Sequence, residues 1–227
     1  MRKRPDLQGF EASGMEQNCS SEGTSEQGKR GRNRCLKKIN YRMNELKNTN
    51  FFHRYYDKIR LMFMDESIFG RITNIRSCWC PSGTRPIVSS LKIREYIYAY
   101  GAVDPINGDS SFIVAGGCNT AWTNLFLAEL SKAFPNDYIL LCGDNASWHR
   151  SNGLVLPDNI EFFFIPPATP EMNPIEQIWE ELKEKDFDNR LFNTLSKVMD
   201  QLCISLNKLS RDTIKSITGR DWILSTV

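Results

Sequence analysis

No stretch of this sequence approaches the run of apolar residues that a membrane helix needs, and the Met1-Arg-Lys-Arg-Pro start lacks the apolar segment of a signal peptide. A membrane partner is therefore not expected. Histidine is scarce, with two residues in 227, and the seven cysteines at 19, 35, 78, 80, 118, 142 and 203 form no repeated Cys-x-x-Cys. That pattern argues against structural zinc. The odd cysteine count, with Cys118, Cys142 and Cys203 in apolar surroundings, fits core thiols in a reducing cytoplasm better than a disulfide framework. Charge of one sign is also missing overall, since the formal net charge is +2.

That small net charge conceals a division along the chain. Residues 1–50 carry 11 Lys and Arg against 6 Asp and Glu, and the remainder carries 18 against 21. Residues 1 to about 28 are rich in Ser, Gly, Gln and Glu with few apolar anchors, which predicts disorder. The segment Lys29–Lys38, KRGRNRCLKK, concentrates six cations and reads either as a phosphate-binding arm or as a soluble linker. Ile39, Met43 and Leu46 predict a short helix before a core that starts near residue 51. The expected organisation is thus a disordered basic tail and linker over 1–50 and one folded domain over 51–227.

Within that domain the periodicities read as α/β. Leu61-Met62-Phe63-Met64 and Tyr138–Cys142 are continuous apolar runs typical of buried strands. Arg94–Val103 alternates tyrosines with small or apolar residues, Asn107-Gly108 supplies a turn, and Ser111–Ala115 returns antiparallel. A hairpin is predicted from Ser77-Cys-Trp-Cys to Pro86-Ile-Val-Ser, with Arg85 in it as a solvated charge. Thr120 reads as the cap of a helix carrying Trp122, Phe126, Leu130 and Phe134, and Leu195–Leu206 as a last amphipathic helix.

Three acids stand out against this frame. Asp65 closes the first apolar run, Asp144 follows the second after Gly143, and Glu176 lies in the first turn of an amphipathic helix with Ile175, Ile178, Trp179 and Leu182 on one stripe. Open α/β sheets place their sites at strand ends. Two acids there and a third on a helix start would form a hard-oxygen cluster suited to Mg²⁺ or Mn²⁺. Glu176 also has a structural reading: Asn173 as N-cap, Pro174 at the first helical position and a Glu three residues after the cap compose a capping box. Glu66 and Glu180 compete as ligands, but Glu66 should face the other side of its strand if pairing continues there. Asn145 and His149 are placed to contact phosphate or order water, or else serve as a turn residue and a partly buried imidazole.

The blocks FMDES, LCGDNASWH and PPATPEMNPIEQIWEELK resemble the three signature blocks of the DDE transposase catalytic domain in the mariner superfamily, in particular its bacterial insertion-sequence branch. The resemblance runs from about Ile59 to Ile223, in family order, and Glu176 follows Asp144 by 32 positions (176 − 144), the short spacing of that family. Ser147 departs from it, standing where many relatives carry Pro.

The resemblance implies a ribonuclease H-like fold, with a mixed central sheet flanked by helices, and a transposase that cleaves and transfers DNA strands. It also implies Asp65, Asp144 and Glu176 as catalytic and metal ligands for two Mg²⁺ or Mn²⁺ ions, with Asp65 bridging, and Asn145, His149 and Asn173 as auxiliaries. Double-stranded DNA, at element ends and target, is the implied partner, in a homodimer and in the cytoplasm or nucleoid. The alternatives are a plain nuclease of the same fold and an inactive or truncated copy that only binds DNA. No pair of amphipathic helices precedes Asp65, so either an upstream reading frame supplies a helix-turn-helix protein for end recognition or the copy is truncated, and this chain alone is expected to bind DNA with little sequence preference.

Overall fold

The computed structural model describes residues 21–48, 55–77, 80–83, 87–167 and 169–225. Its centre is a five-stranded sheet in the order β3-β2-β1-β4-β5, with β1 Lys58–Gly70, β2 Tyr96–Val103, β3 Ser110–Ala115, β4 Asp137–Gly143 and β5 Ile160–Phe164. β1 pairs antiparallel with β2 and parallel with β4; β2–β3 is antiparallel and β4–β5 parallel. The helices are α1 Ser21–Lys47, α2 Thr120–Ala133, α3 Ile175–Leu182, α4 Leu195–Asn207, α5 Arg211–Thr218 and α6 Asp221–Leu224. Among the described residues no helix is long and apolar enough to cross a membrane.

Strand alternation divides the apolar residues between two cores. Leu61, Phe63, Val103, Leu140 and Cys142 face one layer, formed by α1, α3, α4, α5 and α6. Met62, Met64, Tyr100, Ala102, Ile139 and Leu141 face the other, against Phe126, Leu127 and Leu130 of α2. Tyr100 is fully buried there beside Phe126, so the tyrosine face of β2 packs under a helix. The N-cap of α2 is Asn119, one residue before the expected Thr120, and its side chain accepts from the Trp122 amide.

Two longer segments also differ from expectation. Residues 21–47, read as disordered tail, linker and a short helix from Ile39, form one continuous helix. Cys35, Ile39 and Met43 enter the larger core, and this anchorage extends the helix through a polar, glycine-containing segment whose composition alone would not hold it. Residues 1–20 lie outside the described residues. The hairpin over 77–89 is the second difference: the described residues between β1 and β2 form no strand. Thr73 and Leu91 close the base of this segment, through the Thr73 amide to the Leu91 carbonyl (3.0 Å) and the Leu91 amide to Thr73 Oγ1 (3.1 Å), without a ladder beyond. Cys78, Trp79 and Thr84–Pro86, with Arg85, lie outside the described residues.

Two glycines serve this arrangement. Gly108, in the β2–β3 turn, has φ +73° and lies so close to Arg211 that a Cβ would stand 2.2 Å from its carbonyl oxygen. Gly101 pairs with Asp65 across β1–β2, and a Cβ there would stand 2.8 Å from the Trp179 ring. Its bareness lets Trp179 lie over this part of the sheet.

Candidate active site

The sheet register brings two of the acids together. Phe63 on β1 pairs in parallel with Cys142 on β4, so Asp65, two residues further along β1, and Asp144, just beyond the end of β4, come near each other, and Asp144 and Glu176 both act electrostatically on Asp65. Adjacent strands lie about 4.8 Å apart. α3 packs on this same face through Ile175, Ile178, Trp179 and Leu182, all buried, which sets Glu176 in its first turn at the same end of the sheet. A cavity of about 470 Å³ opens there, lined by Asp144, Asn145, Pro166, Pro167, Asn173 and Glu176 among others. Asp65 does not line it; its Oδ2 accepts a hydrogen bond from Trp179 Nε1 at 3.1 Å.

The capping box is not formed. No side chain caps α3; instead Asn173 Nδ2 donates to the Met64 carbonyl at 2.9 Å, fastening the helix start to the strand that carries Asp65. Proline at the helix entrance leaves fewer amides in need of a cap, which frees Asn173 for this tie and leaves Glu176 without a capping role. Asn145 makes the equivalent tie after β4, donating to the Ile165 carbonyl at 3.0 Å. The Oδ1 atoms of Asn145 and Asn173 are buried without a hydrogen-bond partner among the described residues.

The electrostatics are those of acids crowded out of water. Burial pushes Asp65 up to about 7, with Glu66, then Glu176 and Asp144, adding to the rise. Burial also raises Glu176, aided by Glu180 and Asp144. Asp144 goes the other way, held low by its hydrogen bond with His149 against the opposing effect of burial.

His149, 1% exposed, is clasped between two carboxylates, with Nδ1 2.9 Å from Asp144 Oδ1 and Nε2 2.9 Å from Glu66 Oε1. Burial disfavours its charge, but the bonds to Asp144 and Glu66 outweigh burial and raise it to about 9, so it is an imidazolium donating from both nitrogens at neutral pH. Glu66 does face the opposite side from Asp65, toward His149 and Trp148, whose Nε1 lies 3.3 Å from it. Sequence reasoning missed its part in holding His149, although strand alternation was the available signal. It also missed the Trp179–Asp65 bond and Lys183, an ammonium whose pKa burial lowers and Asp65 partly restores.

Among the described residues no three His, Cys, Asp or Glu side chains stand as a ready-made cage for an ion. The chemistry of the donors nonetheless fits a hard divalent cation. Asp65 and Glu176 are carboxylates whose ionisation burial penalises, Asp144 is held ionised by His149, and two buried amide oxygens lack a partner among the described residues. Asp65 should therefore carry a pH-dependent stability penalty in chelator. The unfolded chain ionises it near 3.8 and the folded chain near 7, so the penalty is absent well below the lower value, grows as pH rises through this window and is constant above it. Asp65→Asn is expected to raise the unfolding free energy at pH 8 by about 1–2 kcal/mol, less than the full shift implies because side chains relax, and by almost nothing at about pH 2.5, well below the unfolded value. Urea unfolding at the two pH values checks this; equal stability at pH 8 would mean that Asp65 is not under this field.

The sheet order, with its antiparallel first three strands and parallel β4 and β5, and helices on both faces define a ribonuclease H-like domain. A family model described as DDE superfamily endonuclease matches residues 60–199, and the chain belongs to that family. Over 130 residues it is 33% identical to the uncharacterized protein y4pE/y4sA of Sinorhizobium fredii, a match covering 56% of this chain and 96% of the relative. Among solved structures it resembles a pre-cleavage Mos1 transpososome (TM-score 0.58, 12% identity, 99% of this chain and 66% of that one). It also resembles the Mos1 mariner paired end complex with Mn (TM-score 0.57, 12% identity, 99% and 64%). At these identities the likeness is one of fold, and the chain spans about two thirds of the length of those solved chains.

Proposed function

We propose that this chain is the catalytic domain of a transposase, which cleaves DNA at the ends of a mobile element and joins those ends to a target. The observation that carries the reading is the convergence of Asp65, Asp144 and Glu176 at one end of the sheet, from two adjacent parallel strands and the helix packed on them. In this reading Asp65, Asp144 and Glu176 would hold two Mg²⁺ or Mn²⁺ ions, which when bound would activate the attacking hydroxyl and stabilise the leaving oxygen in a displacement at phosphorus. The chain supplies position. Trp179 fixes the Asp65 carboxyl, His149 holds Asp144 ionised and oriented, and Asn173 ties the start of α3 to β1. Asn145 and Asn173 present amide oxygens, and Pro166 and Pro167 form the far wall.

Double-stranded DNA is the proposed partner. The solved relatives include paired-end complexes, which supports a homodimer holding two ends. The proposed division of labour places catalysis in the folded domain, of which the second half of α1 is part, DNA contact in the basic stretch of α1, and end recognition in a helix-turn-helix module.

The test uses labelled duplex bearing the flanking terminal repeat, a second duplex as target, and Mg²⁺, Mn²⁺ or chelator. Metal-dependent cleavage leaving a 3′-hydroxyl, followed by joining to the target, is the expected result. Cleavage without joining would favour a plain nuclease, and binding with neither would favour a catalytically silent DNA-binding protein.

A further inference from the structure

Gly31, Arg34, Cys35 and Lys38 recur along α1 at i, i+3, i+4 and i+7, and therefore share one stripe of the helix. That stripe and the residues Phe163, Phe164 and Pro166 at the end of β5 enclose a groove of about 500 Å³. Pro166 also lines the acid-bearing cavity, so groove and cavity share a wall. The two sides of the groove differ in chemistry. Arg34 and Lys38 are exposed, and no carboxylate among the described residues pairs with either, whereas Arg42 further along the helix is taken up by Glu45 and Glu161. On the other side Phe164 is half-buried, with the Arg150 guanidinium 5.1 Å from its ring centre.

Gly31 adds an independent observation. Among the described residues a Cβ placed there would meet nothing within 4 Å, so no described neighbour explains a glycine inside a helix, where it is unfavourable relative to alanine. Its effect is to keep this wall of the groove low.

We propose that the groove holds one strand of DNA as it leaves the acid-bearing cavity, with backbone phosphates on Arg34 and Lys38 and a base against Phe164. The proposal rests on the DNA reading of the acid site. Cations that follow a backbone beside an aromatic platform are how single strands are bound without regard to sequence, and a groove of this volume has no room for a duplex. The strand would reach the acids past Pro166, so the groove sets the direction in which the reacting phosphate is presented.

Binding in chelator of a duplex carrying a single-stranded tail, compared with the blunt duplex, tests the proposal in the full chain. Arg34→Ala/Lys38→Ala is expected to lower the slope of log affinity against log salt for the tailed DNA by about 1.4, from roughly 0.7 per cation on a single strand. Gly31→Trp keeps every charge but fills the groove, and is expected to weaken tailed DNA about tenfold or more while leaving blunt duplex nearly unchanged. Lys132→Ala, on α2, should match the wild type, and thermal melting verifies each fold; if Gly31→Trp does not fold, the slope of the double variant decides alone. An unchanged slope, or undiminished tailed-DNA binding by folded Gly31→Trp, overturns the groove while metal-dependent cleavage by the wild type leaves the transposase reading standing. A wild type that binds no DNA at all would sink both.

Discussion

Single alanine substitutions at Asp65, Asp144 and Glu176 are each expected to reduce metal-dependent DNA cleavage by a factor on the order of 10³ or more, since each removes a carboxylate holding several kcal/mol of charge stabilisation and every 1.36 kcal/mol is tenfold in rate. The fold should survive all three. Asp65 and Glu176 have raised pKa values with burial as the leading cause, so removing either relieves a penalty, and Asp144 lies exposed beyond the end of β4. Glu176 is the discriminating position because Glu180, one turn along α3, is also acidic. Full activity in Glu176→Ala with loss in Glu180→Ala would reassign the third acid. Retained activity with a stability loss of about 1 kcal/mol would restore the capping role, against the observation that no side chain caps this helix.

Loss of activity with retained or increased stability is the signature of a site whose acids are placed for function. The Glu66–His149–Asp144 chain is the exception in this part of the molecule, because its charges compensate one another. Two carboxylates share one imidazolium, and the ring spans from the inner face of β1 to the end of β4. Asp144 is thereby kept ionised while its neighbour Asp65 resists ionisation. Two acids of the same type thus acquire different proton affinities from their surroundings.

The acid-bearing elements were legible because each is local. An apolar run that ends in Asp and a helix stripe that begins beside Glu both fit within a dozen residues, whereas the parallel pairing of β1 with β4 is visible only in the structure. What escaped is long-range. Asn173 looks like an N-cap in its own neighbourhood, yet bonds to Met64, and Trp179 looks like core, which it is, while its indole N–H reaches Asp65. α1 differs for the opposite reason: its polar, glycine-containing first half has no local tendency to order, while its second half is held by Cys35, Ile39 and Met43 in the core and by the Arg42–Glu161 pair. A lysine such as Lys183 reads as solvated until burial is known.

The other end of β1 carries the second large expected effect. Arg60, 7% exposed, is surrounded by Asp104 (3.1 Å), Asp109 (2.6 Å) and Asp137, and its guanidinium lies 4.3 Å from the centre of the Phe134 ring. Arg60→Met retains much of the stem's packing but leaves three buried carboxylates without their common cation. Removing one partner from a buried ionic cluster costs about 3–5 kcal/mol, a large part of a typical domain's stability. The three acids are not equally exposed to that loss. Asp104 still accepts from the amides of Ile106 and Asn107, and Asp109 keeps Arg211 at 2.7 Å, whereas Asp137 is bonded through its side chain to Arg60. Asp137→Asn added to Arg60→Met should therefore restore more stability than Asp109→Asn added to the same background. Urea unfolding of the single and double variants checks the order. Because this cluster sits at the start of the strand and Asp65 lies five residues further along it, beyond the pairing with β4, variants that remain folded should keep metal-dependent cleavage; a loss of activity without a loss of stability would show that the cluster, and not only the strand it anchors, reaches the acid site.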